Sequence, residues 1–244
     1  MQDIPYYVLS ALAVLITLTV HEYAHALASY KMGDPTARNL GRLTLNPIKH
    51  LDPIGAICML LFHVGWAKPV PINARNFRNP RRGFAISALA GPLINLVLAF
   101  ISAFIYLLLI AIFSKVKFTV ELWFRVVENT ILFFYLLHVI NLGIALFNLL
   151  PVPPLDGSRI LGLILPPKQY FAIMRHERTI YYVLIGWLIL GDAASRFLLS
   201  FSAIAANPVF SAIATILSLP NLLGFAIEGL SSLMINFWCL LPFI

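Results

Sequence analysis

Two histidines one helical turn apart, with a glutamate beside the first, are the residues of this sequence best suited to chemistry. They lie in the run His21-Glu22-Tyr23-Ala24-His25. On a helix, residues four positions apart share a face, so both imidazoles can bind the same metal ion. Glu22 is then placed to act on a metal-bound water rather than to bind the metal. The pattern predicts hydrolytic chemistry at a metal.

The composition surrounding this motif is that of a membrane protein. The 244 residues are 60% hydrophobic and 11% charged, with a mean hydropathy of +0.88, whereas soluble domains carry about 25% charged residues. Backbone groups inside a bilayer must be paired within the protein, so we expect an all-α polytopic fold. Burying Glu22 in a span costs about 2.5–3.5 kcal/mol, which favours a functional motif over a chance one.

Apolar runs predict about five to six transmembrane helices in a single domain. The runs cover residues 5–30, 84–113, 124–150, 179–200 and 208–240. The first is expected to stay in place as a span, because no basic segment and cleavage site of a signal peptide precede it.

Three segments between the first two spans have a different pattern. Residues 36–50 alternate weakly and predict short strands. The apolar residues 54–65 are too few to cross about 30 Å of hydrocarbon and suggest a re-entrant segment. Residues 66–73, which contain two prolines, predict an extended edge or hairpin. We therefore expect a small membrane-associated β-hairpin or sheet beside the helices.

The distribution of basic residues predicts the orientation of the spans. Thirteen of the 17 lysines and arginines lie between the first two spans or after the third. The positive-inside rule puts both regions in the cytoplasm and the N-terminus outside. The net charge of +7 therefore indicates membrane orientation, and no nucleic-acid partner is expected. His21 and His25 fall in the cytoplasmic half of the first span.

A third metal ligand is predicted where the third span ends. Three prolines within residues 151–154 must unwind the backbone there. Asp156 follows at a depth similar to that of the two histidines. A catalytic zinc site takes three protein ligands and leaves a fourth position for water. His21, His25 and Asp156 therefore predict one Zn²⁺ per chain.

Other residues of ligand type fit this site less well. His50 and Asp52 lie in the basic loop and are expected to be solvated. His63 falls in the suggested re-entrant segment. His138 lies nearly three turns deeper in the third span than Asn148, and we expect it to be structural.

Together these motifs resemble the site-2 protease family of intramembrane zinc metalloproteases, peptidase family M50. The resemblance covers about residues 10–165. Within the family, the sequence is similar to short prokaryotic members without a PDZ or CBS domain. It rests on the zinc motif, on Leu155-Asp156-Gly157, and on four further segments: Gly41 to Pro47, Trp66 to Asn73, Ala90 to Asn95, and Phe147 to Gly157. We expect the chain to differ from larger members, which have a span before the zinc helix.

The resemblance implies a role for each site residue. His21, His25 and Asp156 would bind zinc, Glu22 would be the general base, and Asn148 would help to hold the substrate carbonyl or the transition state. An alternative for Asn148 is a cap on the unwound backbone. Asn95 and Gly91 are expected to serve close helix packing.

The expected function is hydrolysis of a peptide bond in or near a transmembrane segment, as in regulated intramembrane proteolysis. The substrate would be a membrane protein, for example a single-span regulator, and the setting a lipid bilayer. Residues 1–165 would form the protease core and residues 166–244 the C-terminal transmembrane helices, through which a homo-oligomer could form. The resemblance implies the prokaryotic cytoplasmic membrane, with the active site towards the cytoplasm.

Two other functions compete with this one. A zinc- or proton-coupled transporter could use the same buried ligands, but transport sites usually lie between repeats, and the sequence has one broken helix and no repeat. A catalytically inactive relative is disfavoured because every catalytic residue type is present.

Residues 66–73 have two possible roles. They could bind an unwound substrate by β-augmentation, or they could only close the cytoplasmic side of the site.

Overall fold

The computed structural model describes residues 3–52, 68–117, 119–200, 211–212, 216 and 218–241. Their fold is helical, as the composition predicts. The α-helices are α1 (Asp3–Lys31), α2 (Thr36–Asn39), α3 (Pro80–Phe113), α4 (Glu121–Leu149), α5 (Asp156–Ile164), α6 (Pro167–Arg175), α7 (Glu177–Gly186), α8 (Asp192–Leu199) and α9 (Leu219–Trp238). A π-helical turn, Trp187–Gly191, joins α7 to α8, and 3₁₀ turns cover Pro47–Lys49 and Ala74–Asn76.

Four helical segments of the described chain are long and apolar enough to cross a membrane. They are Ile4–Lys31, Pro80–Phe113, Glu121–Leu149 and Glu177–Phe197, that is α1, α3, α4 and the run from α7 into α8. A multi-pass, all-α membrane protein is therefore confirmed. The count of five to six spans stays a prediction, because the last apolar run lies partly outside the described residues and its described part forms α9.

Helices α1, α3 and α4 pack closely together and form the body that carries the motif. Small side chains permit this approach, because they let helix backbones come near one another in the absence of bulky core residues. Six alanines of these helices have no exposed surface: Ala13, Ala26, Ala85, Ala99, Ala103 and Ala145.

Buried polar side chains bond the helices to one another. Asn141 of α4 donates from Nδ2 to Thr17 Oγ1 of α1 at 2.9 Å. The ring of His138, also on α4, donates from Nδ1 to the Ala99 carbonyl of α3 at 2.9 Å and contacts Ser231 Oγ of α9 at 2.8 Å. His138 therefore joins three helices, in agreement with the predicted structural role.

The segment after α1 forms turns instead of the predicted strands. Residues 36–39 are helical, Gly41 has a φ of +66°, and Asn46 caps a 3₁₀ turn by accepting from the main-chain N–H of Ile48. The strand prediction for residues 36–50 is wrong, because these side chains offer the backbone local partners that compete with a strand ladder. Residues 54–65 and the start of the predicted hairpin lie outside the described residues.

The part of the hairpin that the structure describes, residues 68–73, forms no helix and belongs to no strand of a described sheet, and it ends at Asn73, whose backbone is extended (φ −107°, ψ 100°). Its end is fixed by Asp34, which is fully buried just after α1. Asp34 accepts from the main-chain N–H of Asn73 at 2.7 Å, from Asn76 Nδ2 at 2.8 Å and from the hydroxyl of Thr36. Burial opposes ionisation of this carboxyl, but the hydrogen bonds outweigh it and lower the pKa of Asp34.

The backbone unwinds between α4 and α5, as the prolines predict. Helix α4 ends at Leu149, and α5 begins at Asp156. The chain turns back so sharply that a Cβ on Gly157 would lie 2.3 Å from the Leu149 carbonyl oxygen. Only glycine fits there, and this turn is what points Asp156 towards α1.

Candidate metal centre

The three predicted metal ligands lie together although they are up to 135 residues apart in the chain. Asp156 Oδ2 is 3.2 Å from His21 Nε2 and 3.1 Å from His25 Nε2, and the two Nε2 atoms are 2.9 Å apart. Both histidines are buried. Two nitrogens and one carboxylate oxygen thus converge on one point from α1 and α5.

Helix α3 holds the far side of both imidazole rings. His25 donates from Nδ1 to the Ser87 carbonyl at 2.7 Å, and His21 Nδ1 lies 3.0 Å from the side-chain amide nitrogen of Asn95. With Nδ1 occupied in this way, the Nε2 atom of each ring faces Asp156.

The donor set fits a zinc ion. Burial would raise the pKa of the Asp156 carboxyl, but hydrogen bonds from His21 and His25 outweigh it and lower that pKa to about 2, so the carboxylate is charged at neutral pH. Two imidazole nitrogens with one carboxylate oxygen are a ligand set that catalytic zinc uses, with a fourth position left for water. Gly91 of α3 also approaches the site closely, since a Cβ there would lie 2.5 Å from His25 Nε2 and 2.6 Å from His21 Nε2.

A cavity of about 330 Å³ opens over these ligands. Glu22 lines it, and one carboxylate oxygen, Oε2, accepts a hydrogen bond of 2.8 Å from the main-chain N–H of Val70. The walls come from α1, residues 69–72, α3, the α4–α5 turn and α5. The lining residues are His21, Glu22, His25, Pro69, Val70, Ile72, Phe84, Ala88, Asn148, Pro154, Asp156 and Arg159. All five predicted site residues therefore border one cavity.

Asn148 reaches the cavity from the last turn of α4. Its Nδ2 donates to the Ile144 carbonyl one turn earlier in the same helix, at 2.9 Å. The amide NH₂ is therefore held by its own helix, and this bond does not cap the unwound segment.

The other candidate ligands lie apart from the cluster or outside the described residues. His50 is only 2% exposed, and its Nε2–H donates to the Thr44 carbonyl at 2.8 Å. The expectation that His50 would be solvated is wrong, because this local bond lets the loop bury the ring. Asp52 is half-buried outside the cluster, and His63 lies outside the described residues.

A family model decides the relationship of this chain to known proteins. The model of peptidase family M50 matches residues 9–191. The chain belongs to peptidase family M50. The match includes residues 9–31 of α1, both halves of the candidate metal centre and the run from α7 to the π-helical turn, so the resemblance to site-2 proteases is confirmed. The M50 assignment also accords with the four apolar helices.

Bacterial proteins are similar to this M50 peptidase. "Putative zinc metalloprotease YwhC" of Bacillus subtilis (strain 168) is 45% identical over 163 residues, which are 67% of this chain and 70% of the relative. "Putative zinc metalloprotease Rip2" of Mycolicibacterium smegmatis is 29% identical over 183 residues, or 72% of this chain and 64% of the relative. Rip2 of Mycobacterium tuberculosis (strain Erdman) is 28% identical over 191 residues, or 71% and 67%. No solved structure gives a significant match.

Two residues of this M50 site were not singled out by the sequence. Arg159 follows Asp156 by one helical turn, and its guanidinium lies 5.3 Å above the ring of Phe84 while pairing with Glu177 at 2.9 Å. Ser87 contributes only its carbonyl oxygen to His25. Every residue has a backbone carbonyl, so a sequence pattern cannot identify the one that contacts His25. Arg159 could have been suspected from its spacing to Asp156.

Proposed function

We propose that this M50 peptidase is an intramembrane zinc endopeptidase that cleaves a membrane protein in or near a transmembrane segment. The observation that carries the proposal is the convergence of His21, His25 and Asp156 beside Glu22, on a helix long and apolar enough to cross a membrane. The names of the YwhC and Rip2 relatives support zinc as the metal.

Each site residue has a separate task in this proposal. His21 and His25 would hold the zinc ion through Nε2, and Asp156 would hold it through its ionised carboxylate. Zinc, when bound, lowers the pKa of its water to about 7 and polarises the carbonyl that is attacked. Glu22 accepts the proton of the attacking water and returns it to the leaving amine.

Asn148 and Val70 complete the cavity. Asn148 stands on the wall beside the ligands, where its amide can orient the scissile carbonyl of a bound peptide once the bond to Ile144 is exchanged. The N–H of Val70 holds Oε2 of Glu22 and so keeps the carboxylate facing the cavity.

The substrate would enter as an extended strand, because the peptide bonds of a helix are shielded by their own hydrogen bonds. Pro69, Val70 and Ile72 line the cavity. The main-chain N–H groups of Val70 and Asn73 donate to the carboxylates of Glu22 and Asp34, so both ends of this segment are held in place. A fixed segment that is not helical can add a substrate strand by β-augmentation. The competing role for these residues is a wall that closes the cytoplasmic side.

The setting we propose is the prokaryotic cytoplasmic membrane, with the metal centre towards the cytoplasm. It is supported by the concentration of basic residues in the two regions that border the site. Residues 1–165 would form the catalytic core, and the C-terminal helices in residues 166–244 would support it or join two copies.

The test is cleavage of a single-span model substrate by the purified chain in liposomes. We expect cleavage to stop with a zinc chelator and to return with added zinc, and Glu22→Gln to bind zinc without cleaving. Glu121→Gln is the control, since Glu121 is exposed at the far end of the bundle and pairs with Arg125. Cleavage that survives both chelation and Glu22→Gln would overturn the proposal, and zinc uptake into the liposomes without cleavage would favour the transporter.

A further inference from the structure

Helix α3 presents three residues, each four positions from the next, to the two metal-binding histidines. Ser87 accepts from His25, Asn95 contacts His21, and Gly91 between them lies against both Nε2 atoms. Residues at this spacing share one helix face. One face of α3 therefore contacts both rings of the metal centre.

The contacts of α3 with His25 and with His21 differ in whether they depend on the residue type in α3. The acceptor for His25 is a main-chain carbonyl, which any residue at position 87 supplies. The group beside His21 is a side chain, Asn95, and it is completely buried. The orientation of His21 consequently depends on residue identity in a way that the orientation of His25 does not.

Asn95 has a buried oxygen that lacks a hydrogen-bond partner among the described residues. Its nitrogen, Nδ2, lies 3.0 Å from His21 Nδ1. The oxygen and nitrogen of a side-chain amide have nearly the same shape, so exchanging them costs no space. After the exchange Oδ1 accepts from Nδ1–H of His21, the orphaned oxygen is satisfied, and the lone pair of Nε2 faces the metal.

We propose that Asn95 is a positioning residue whose side-chain oxygen accepts a hydrogen bond from Nδ1 of His21 and so fixes the tautomer and ring direction that bind zinc. This inference rests on the proposed zinc site. It adds to the helix-packing role expected for Asn95 from sequence, while Gly91 keeps that role because a Cβ there would strike both rings. Asn95 acts through His21 and does not touch the substrate.

The test is the zinc affinity of the full chain in detergent, measured by competition with a chromophoric chelator. Asn95→Leu keeps a side chain branched at Cγ and removes the acceptor, whereas Asn95→Asp keeps an acceptor oxygen. Partners of metal-bound histidines are worth about 10- to 100-fold in metal affinity. We expect a loss of that size in Asn95→Leu and an affinity within about 3-fold of wild type in Asn95→Asp.

Asn141→Leu is the matched control, since Asn141 is a buried asparagine of the same bundle that bonds to Thr17 and not to a metal ligand. We expect it to lower thermal stability without changing zinc affinity. Asn95→Ala, which also lacks the acceptor, replaces Asn95→Leu if the larger side chain prevents folding. The absorption spectrum of the Co²⁺-loaded protein gives a second readout, expected to change in Asn95→Leu and not in Asn141→Leu.

Three outcomes would overturn the inference. One is an unchanged affinity in folded Asn95→Leu or Asn95→Ala, and another is an equal loss in Asn141→Leu. The third is an affinity in Asn95→Asp as low as in Asn95→Leu, which would mean that the amide serves as a donor. A wild-type chain that binds no zinc would overturn the proposed function as well, whereas zinc-binding wild type with unaffected variants would overturn this inference alone.

Discussion

The main-chain N–H of Val70 donates a hydrogen bond of 2.8 Å to Oε2 of Glu22. It connects the segment that lines the cavity at Pro69, Val70 and Ile72 to the residue proposed as general base, 48 positions earlier in the chain. Because the donor belongs to the backbone, this bond fixes the position of the main chain at Val70 relative to Glu22 and the neighbouring histidines. The base and the proposed substrate-docking edge are therefore positioned by one contact.

Removing this donor should lower turnover without removing zinc. Proline has no N–H, so we expect Val70→Pro to reduce kcat by about 10- to 100-fold, since a hydrogen bond to a charged group is worth about 1.5–3 kcal/mol. Cleavage kinetics and zinc content measured on the same preparation check this. Val70→Ala is the control because it changes the same side chain and keeps the main-chain N–H, and equal effects of the two substitutions would contradict the prediction.

The substitution Gly91→Ala, which adds one methyl group, should prevent zinc binding. The new Cβ would lie 2.5 Å from His25 Nε2 and 2.6 Å from His21 Nε2, while hydrogen bonds to α3 limit how far the rings can move. We expect Gly91→Ala to be destabilised by about 1–3 kcal/mol through overpacking and to lose most of its zinc. Gly229→Ala on α9, where a Cβ meets nothing within 4 Å, should bind zinc as wild type does.

Asp156 should be required for zinc and not for folding of the helical bundle. Removing its carboxylate leaves two histidines for the metal, fewer than the three ligands of a catalytic site. We expect Asp156→Ala to retain less than about 0.1 zinc per chain after dialysis, as measured by elemental analysis. Glu128→Ala, which removes an exposed carboxylate of α4, should retain full occupancy; a fully loaded Asp156→Ala would exclude Asp156 as a ligand.

Asp34 should make the stability of the protein depend on pH in the acid range. Its pKa is lower in the folded protein than the ordinary value of 3.8, so the folded state binds fewer protons than the unfolded state between the two pKa values. The stabilisation is complete above the unfolded pKa and is lost as the pH falls through the folded pKa. Thermal unfolding followed between about pH 2 and pH 6 should show this loss below about pH 4.

The same experiment with Asp34→Asn isolates the contribution of this one carboxyl. The substitution leaves Asn73, Asn76 and Thr36 facing a group that accepts fewer hydrogen bonds, so we expect a loss of about 1–3 kcal/mol at neutral pH. The difference between wild type and Asp34→Asn should shrink as the pH falls. A constant difference across the range would show that ionisation of Asp34 does not contribute.

Much of the candidate site could be located from the sequence because its residue types are rare inside a membrane. Two histidines and a glutamate within five residues, and an aspartate after a proline run, stand out in a chain with 11% charged residues. The all-α class followed from composition for the same physical reason, since a bilayer leaves few ways to pair the backbone. Residues 36–50 could not be predicted in this way, because the capping bonds of Asp34 and Asn46 outweigh a weak alternation.

The sequence by itself determined the chemical type of the site: which side chains can bind a metal, which carboxylate can serve as base, and where α4 must end. Only the tertiary structure decided how these side chains are oriented relative to one another. The Ser87 carbonyl, the amide of Asn95 and the N–H of Val70 each fix a ring or carboxylate that lies at least 48 positions away in the chain. Hydrogen bonds between segments so far apart depend on how the helices pack, and local sequence periodicity does not predict that packing.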